Sequence, residues 1–134
     1  MLLYVAGKWA DKHIIKTYMN FFTKEGHVIT HDWTVVEEED KRTREDLAKY
    51  AELDVQGVKK ADYLIILITD PEYAYRGTSC ELGVALACQK PVIIVNLTNG
   101  TPDFFKSIFP FHKSVRILDR FIESEIIQIL RQEV

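Results

Sequence analysis

Two cysteines, four prolines and six glycines in 134 residues leave little covalent or backbone punctuation to read. Cys80 and Cys88 stand eight apart on one predicted helix, about 12 Å of rise, beyond the Cα separation that a disulfide spans, so both read as reduced thiols. No apolar run approaches the ~20 residues that cross a bilayer, and Leu2–Ala6 is too short for the apolar core of a signal peptide, so the expected location is cytoplasmic. Neither sign of charge dominates. Seventeen Lys and Arg against twenty Asp and Glu, a formal net charge of −3, give no electrostatic footprint for nucleic acid or an anionic membrane, and neither is expected as a partner. There is no Gly-x-Gly-x-x-Gly, no Gly-x-x-x-x-Gly-Lys-Ser/Thr and no acidic pair after the first strand, which argues against a dinucleotide oxidoreductase, a P-loop enzyme and a phospho-receiver. His27 and His31 would lie about 13 Å apart on a predicted strand, so no metal site is readable.

What is present is alternation. Short apolar runs rich in β-branched residues, at 2–6, 28–30, 63–68, 91–95 and 114–118, carry the signature of parallel strands covered on both faces. Amphipathic stretches separate them. After Asp11, residues Ile14, Ile15, Tyr18, Phe21 and Phe22 recur at helical spacing and Gly26 closes the helix, and the aromatics among them are assigned to the core. Thr43 fits an N-cap ahead of Glu45 and Asp46, and Leu47, Ala51, Val55 and Val58 form the next apolar stripe. Asp54 falls inside that stripe and away from Lys49, Glu52 and Lys59. It therefore faces inward and requires a partner, which for a purely structural role would be backbone amides or a buried tyrosine. A last amphipathic helix over 120–131 carries Phe121, Ile122, Ile126, Ile129 and Leu130. The order predicts one α/β domain over residues 1–134, a flavodoxin-like five-stranded parallel sheet in the order 2-1-3-4-5 with helices on both faces. A chain of this length buries roughly two-thirds of its unfolded surface without a staple.

Open parallel sheets bind ligands in the crevice above the carboxyl ends of their strands, and the connections leaving those ends carry the unusual residues here. Gly7-Lys8-Trp9 follows the first strand, where glycine permits a tight turn or close approach to a ligand. His31-Asp32-Trp33-Thr34 follows the second and runs into the charged segment 37–46. That segment is a solvated face or, beside the first turn, a substrate loop in which Lys41, Arg42 or Arg44 meets an anion. Segment 69–76 holds Asp70, Glu72, Tyr73, Tyr75 and Arg76, with tyrosines that stack on a flat ligand or cover the strand ends. Next comes Gly77-Thr78-Ser79-Cys80-Glu81-Leu82-Gly83. Thr78 fits an N-cap and Glu81 completes a capping-box spacing, so a helix is predicted to start at Thr78. Glu81 is then a cap or, with Gly83, Ala85 and Ala87 keeping the helix thin against the sheet, a carboxylate facing the crevice. The long connection 97–110 leads through Phe104, Phe105, Phe109 and Phe111, more aromatic surface than one small core buries. A patch for a second subunit is expected there, in a homodimer or higher even oligomer.

Tyr4-Val5-Ala6-Gly7, His31-Asp32-Trp33-Thr34, Asp54-Val55-Gln56-Gly57-Val58-Lys59-Lys60-Ala61-Asp62 and Gly77-Thr78-Ser79-Cys80-Glu81-Leu82-Gly83-Val84-Ala85, with Lys90-Pro91-Val92, resemble the nucleoside 2-deoxyribosyltransferase superfamily, which includes nucleoside 5′-monophosphate N-glycosidases. The resemblance runs from residue 2 to about residue 96. Its most specific parts are Asp-x-x-Gly-Val-x-x-Ala-Asp and Gly-Thr-x-x-Glu-Leu-Gly. It implies retaining cleavage of the N-glycosidic bond of a (deoxy)nucleoside or nucleoside 5′-monophosphate, as a deoxyribosyltransferase or an N-hydrolase, with no cofactor. It implies Glu81 as the nucleophile on the anomeric carbon, held ionised at a helix N-terminus, Asp54 as an acid near the base and ribose, and Tyr4 as the hydroxyl that orients the nucleophile. Gly7 would admit the sugar, and Thr78 and Ser79 would hold a 5′-hydroxyl or phosphate, with help from Lys8 or a basic residue of 41–44. Trp9, Asp32, Trp33 and Gly77 complete the expected substrate-binding set. The transferases carry a second acid just ahead of the glycine; Tyr75-Arg76 stands at that place here. The alternative reading is a non-catalytic nucleotide-binding module with the same pocket, against which the intact set of Tyr4, Asp54 and Glu81 argues.

Overall fold

The computed structural model describes residues 1–36 and 42–132; Lys41, with the rest of segment 37–41, lies outside the described residues. Strands β1 (Leu2–Ala6), β2 (Val28–Ile29), β3 (Tyr63–Ile68), β4 (Val92–Asn96) and β5 (Val115–Leu118) form a parallel sheet. The order is β2-β1-β3-β4-β5, as expected from the alternation of apolar runs and amphipathic stretches. Every residue of β3 and β4 is buried, which is why those two segments read as unbroken apolar runs. The two edges, β2 and β5, are short and partly exposed.

Helices α1 (Lys12–Lys24), α2 (Arg44–Lys60), α3 (Arg76–Ala87) and α4 (Glu123–Gln132) cover the sheet. α1 stops where Gly26 takes a φ of 92°, a conformation that a side chain would oppose. Its inner face is Ile15, Met19 and Phe22, all buried, whereas Ile14 is 47% exposed. Phe121 packs edge-on against Tyr18, Phe21 and Phe22, so α1 and the segment entering α4 share an aromatic layer. α4 itself begins at Glu123 and not at residue 120; Phe121 is held in that layer before the helix starts.

α2 opens with the expected cap in full: the Asp46 amide donates to Thr43 Oγ1 and the Thr43 amide to the Asp46 carboxylate, both at 3.1 Å. Its apolar stripe does not close as expected. Gly57 and Val58 are buried, but Leu47 is 49% exposed and Ala51 is exposed too, because the first half of α2 stands over a cavity instead of the sheet. In α3 the inward residues are Thr78, Leu82 and Ala85. Gly83 has open space where a Cβ would stand and Ala87 is exposed, so neither thins the contact with the sheet. The connection after β4 folds into two 3-10 turns, Asp103–Lys106 and Phe109–Phe111. They bury Phe104 and leave Ile108, Phe109 and Phe111 exposed. Among the described residues no helix is long and apolar enough to cross a membrane.

Candidate active site

The sheet reverses its winding between β1 and β3, and a cavity of about 330 Å³ opens there, under α2 and α3. Tyr4, in the middle of β1, forms its floor. The tyrosine is fully buried, and its hydroxyl donates a short hydrogen bond to Glu81 Oε2 on α3. Its ring lies against the backbone of α2 at Gly57, where an added Cβ would stand 2.8 Å from Tyr4 Cδ2 and 3.0 Å from the Cβ of His31. Glycine is thus required at 57 for α2 to come down onto the tyrosine. Thr30 fastens the same point by donating to the Gly57 carbonyl at 2.7 Å. The glycine of Asp-x-x-Gly-Val is therefore part of the site's construction, a role that spacing alone did not signal.

α3 does not start at Thr78. Tyr75 precedes it in the left-handed conformation, φ 52° and ψ 47°, and the helix begins at Arg76 with no side-chain cap. The Tyr75 ring is buried and its hydroxyl accepts from the amides of Thr69 at 2.9 Å and Asp70 at 3.1 Å, which clamps the β3–α3 turn and compensates for the unfavourable backbone. The Ser79 amide makes the first helical bond to the Tyr75 carbonyl at 2.8 Å, and the Ser79 hydroxyl donates to the same carbonyl. The helix start moves forward, and Thr78 and Glu81 cannot form a capping box. Glu81 stands in the second turn, with its carboxylate on Tyr4.

The electrostatics follow from that position. Burial pushes the Glu81 carboxyl up to about 8, with the Tyr4 hydrogen bond opposing the rise and the Asp54 charge adding to it. Tyr4 is raised far above the ordinary phenol range by its own burial and then by Glu81 and Asp54. Asp54 is raised by burial, against the pull of His31 and Tyr4. Its partner is His31, whose Nε2 lies 3.4 Å from Asp54 Oδ1. Two carboxyl groups and a phenol thus share one partly dry wall.

Of the expected residues, Tyr4, Gly7, Trp9, Trp33, Asp54, Gly77, Thr78 and Glu81 all line the cavity. Gly7 also admits Ile15, whose Cδ1 would meet an added Cβ at 2.5 Å, so it serves the approach of α1 to the β1 turn. Trp33 is buried and donates from Nε1 to the Val5 carbonyl at 2.8 Å. Asp32 and Ser79 do not line it. Asp32 accepts from the Thr34 amide and is paired with Lys16; burial works against its charge, but Lys16 and Thr34 outweigh it and keep the carboxyl below its usual range. Lys8 is bound to Asp70 at 2.8 Å, and that contact holds Asp70 low in turn. Tyr73 is 40% exposed and lines the cavity, edge-on to Tyr75, whose hydroxyl ties down the end of β3. His31, Tyr50, Val36, Cys80 and Val84 also line the cavity, outside the expected site set. His31, Cys80 and Val84 carried a signal, as members of the segments 31–34 and 77–85; Tyr50 and Val36 carried none. Trp9 stands with Trp33 at 6.2 Å between ring centroids and has Lys12 and Arg42 over its face at 4.7 and 5.2 Å, giving the cavity an aromatic, cation-flanked mouth.

A family model described as nucleoside 2-deoxyribosyltransferase matches residues 3–110. Among solved structures, the chain is similar to the CMP N-glycosidase BcmB of Clostridium botulinum, at 18% identity and a TM-score of 0.66, covering 98% of this chain and 99% of that one. It is also similar to a conserved protein from Enterococcus faecalis V583, at 15% identity and a TM-score of 0.67, covering 100% and 99%. Both likenesses are of fold. Comparison with curated proteins gives no match.

Proposed function

Because the chain belongs to the nucleoside 2-deoxyribosyltransferase family, we propose that it cleaves the N-glycosidic bond of a nucleoside or nucleoside 5′-monophosphate by double displacement, with Glu81 as the nucleophile. The observation that carries this reading is the Tyr4 hydroxyl on Glu81 Oε2 at the floor of a cavity rich in aromatic side chains. The phenol occupies one carboxylate oxygen and fixes the plane of the group, leaving the other lone pairs for the anomeric carbon. As the bond to the base lengthens, positive charge develops on the sugar, and a carboxylate in a poorly solvated wall stabilises it more strongly than water does.

Trp9, Trp33 and Tyr73 supply flat apolar surface for the base, and Gly77 and Thr78 border the sugar end. The 5′-phosphate corner sketched from sequence is weaker in this geometry, since Lys8 and Ser79 are engaged elsewhere. Arg42 lines the cavity, over the Trp9 and Tyr50 rings. The fold likeness to a CMP N-glycosidase keeps hydrolysis of a monophosphate within the reading, beside transfer to an acceptor base.

The test is incubation with ribo- and 2′-deoxyribonucleosides and their 5′-monophosphates, with and without an acceptor base, followed by chromatography for free base. Release of base is expected, and a 2-deoxy-2-fluoro nucleoside is expected to leave an ester on Glu81 visible by intact-protein mass. Binding without release of base across the whole panel overturns the enzyme reading in favour of a nucleotide-binding module.

A further inference from the structure

Two turns stand side by side at the carboxyl ends of the paired strands β1 and β3, and polar contacts tie them together. Lys8 Nζ donates to Asp70 Oδ2 at 2.8 Å, and the Thr69 hydroxyl donates to Asp11 Oδ2 at 2.6 Å. The other Asp70 oxygen takes the Glu72 amide at 2.9 Å, so the carboxylate is fixed by its own turn. The Lys8 ammonium also stands over the face of Tyr73, 4.8 Å from the ring centre. Tyr73 lines the cavity and is 40% exposed, and its ring is set edge-on to the buried Tyr75, with centroids 4.8 Å apart at 88°. A tyrosine this exposed on a loop has several rotamers open to it in water; here a cation over its face and a neighbouring ring hold it in one.

Stability is a poor reason for this ion pair. With side chains 21% and 33% exposed, a lone pair of this kind contributes little to the fold. Resting on the glycosidic reading above, we propose that Lys8 is a positioning residue for the substrate: bound to Asp70, it fixes the Tyr73 ring as a wall of the cavity against which the nucleoside base is laid. Lys8 acts through Tyr73 and not on a phosphate. To reach a phosphate it would have to leave Asp70, and the phosphate would then meet the Asp70 carboxylate, a like-charge contact that opposes binding. The reacting carbon belongs to Glu81 and Tyr4 at the floor, whereas Lys8 reaches Asp70 and Tyr73. Loss of Lys8 therefore weakens ground state and transition state alike, which raises KM and leaves kcat in place.

Release of base and binding are measured side by side, with nucleosides and their 5′-monophosphates. Binding is read from the fluorescence of the two tryptophans, both of which line the cavity. Lys8→Met keeps the stem and removes the charge; it is expected to raise KM and Kd by about tenfold for both kinds of ligand and to change kcat by less than about threefold. Lys8→Arg is expected to restore most of the loss. Tyr73→Phe, which keeps the ring, should bind as the wild type does. Tyr73→Leu should match Lys8→Met, and combining the two should cost little more, because Lys8 works through the ring. Added salt should weaken binding of the uncharged nucleosides by the wild type and leave Lys8→Met unmoved, since only the wild type has an ion pair to screen. A loss confined to the monophosphates makes Lys8 a phosphate contact and overturns the proposal. So does a fall in kcat at unchanged KM, full additivity with Tyr73→Leu, or wild-type binding by Lys8→Met. If the wild type releases no base but binds nucleosides, and Lys8→Met weakens that binding, the glycosidic reading falls and the role of Lys8 stands. If the wild type neither binds nor cleaves any of them, both fall.

Discussion

The two faces of the sheet are built from the same kinds of residue and end in opposite states. On the α1–α4 face, Phe22, Ile15 and Met19 are buried and Phe121 packs edge-on against Tyr18, Phe21 and Phe22, closing the layer. On the α2–α3 face, Tyr4 is just as buried, but a glycine, two carboxyl groups and a histidine surround it and the first half of α2 leaves Leu47 uncovered. The pleat of β1 divides them: Tyr4 faces α2 and α3, so Leu3 and Val5 face the closed side. The lesson is that the fold places its chemistry where packing is left unfinished and uses the other face to supply the stability. A buried carboxyl pushed up to about 8 is a liability that the closed face has to offset.

The sharpest way to break this division is Glu81→Gln. Activity is expected to fall by roughly 10⁴-fold, about 5 kcal/mol of barrier, with the fold retained, measured as single-turnover release of base. An undiminished rate assigns Glu81 no chemical part. Next in size is a change on the closed face. Phe22→Ala is expected to lower stability by about 3–5 kcal/mol in denaturant melts, through lost burial and a cavity, while kcat of the folded fraction changes little. Equal damage to kcat would mean that the faces are not separable.

Smaller effects probe the contact between the helix and the floor. Gly57→Ala gains about 1 kcal/mol of helix propensity, but its Cβ meets a tyrosine ring that cannot swing away, since the hydroxyl is held by Glu81. Overpacking of about 1–3 kcal/mol outweighs the gain, so a net loss of up to about 2 kcal/mol is expected. kcat should drop more steeply than stability, because Tyr4 and His31 are both displaced. A stabilised, fully active variant would refute the close approach. The pH dependence of stability gives a smaller shift. Glu81 goes from 4.5 to about 8 on folding, so the folded state holds the extra proton between those values. Its stabilising share is whole below about pH 4.5 and is lost as pH rises through 8. Glu81→Gln should therefore melt higher than wild type at pH 8, by roughly a few degrees, and show less of this difference at pH 5. A difference that grows toward acid would reverse the assigned sign.

Most of the fold was legible because strands sealed on both faces read as unbroken apolar runs, as in Tyr63–Ile68. The site was legible by residue type and less so by geometry. Thr78 and Glu81 have capping-box spacing, yet Tyr75 in a left-handed conformation starts the helix two residues earlier, and no local pattern foretells an aromatic residue there. Asp32 looked like a ligand contact from its place after β2, but Lys16, a turn into α1, was free to reach it only once the chain had folded. Gly57 and Gly83 look alike in sequence; only the tertiary packing tells which one a tyrosine presses on.

The smallest expected effect on the isolated chain concerns neither face but the rim. Ile108, Phe109 and Phe111 are exposed at 79%, 58% and 62% on the connection that packs beside α3. Three large apolar side chains side by side in water are disfavoured unless something covers them, and we propose that a second copy of the chain does so. Phe109 is mostly exposed, so Phe109→Ser should move the stability of the monomer by less than about 0.5 kcal/mol. The assembly should respond instead. Light scattering at micromolar concentration is expected to give an even multiple of 15.6 kDa for the wild type and a shift toward the single chain for Phe109→Ser with Phe111→Ser. If the wild type already scatters as a lone chain, the patch has another occupant. If the double variant keeps the wild-type mass, the subunits meet elsewhere.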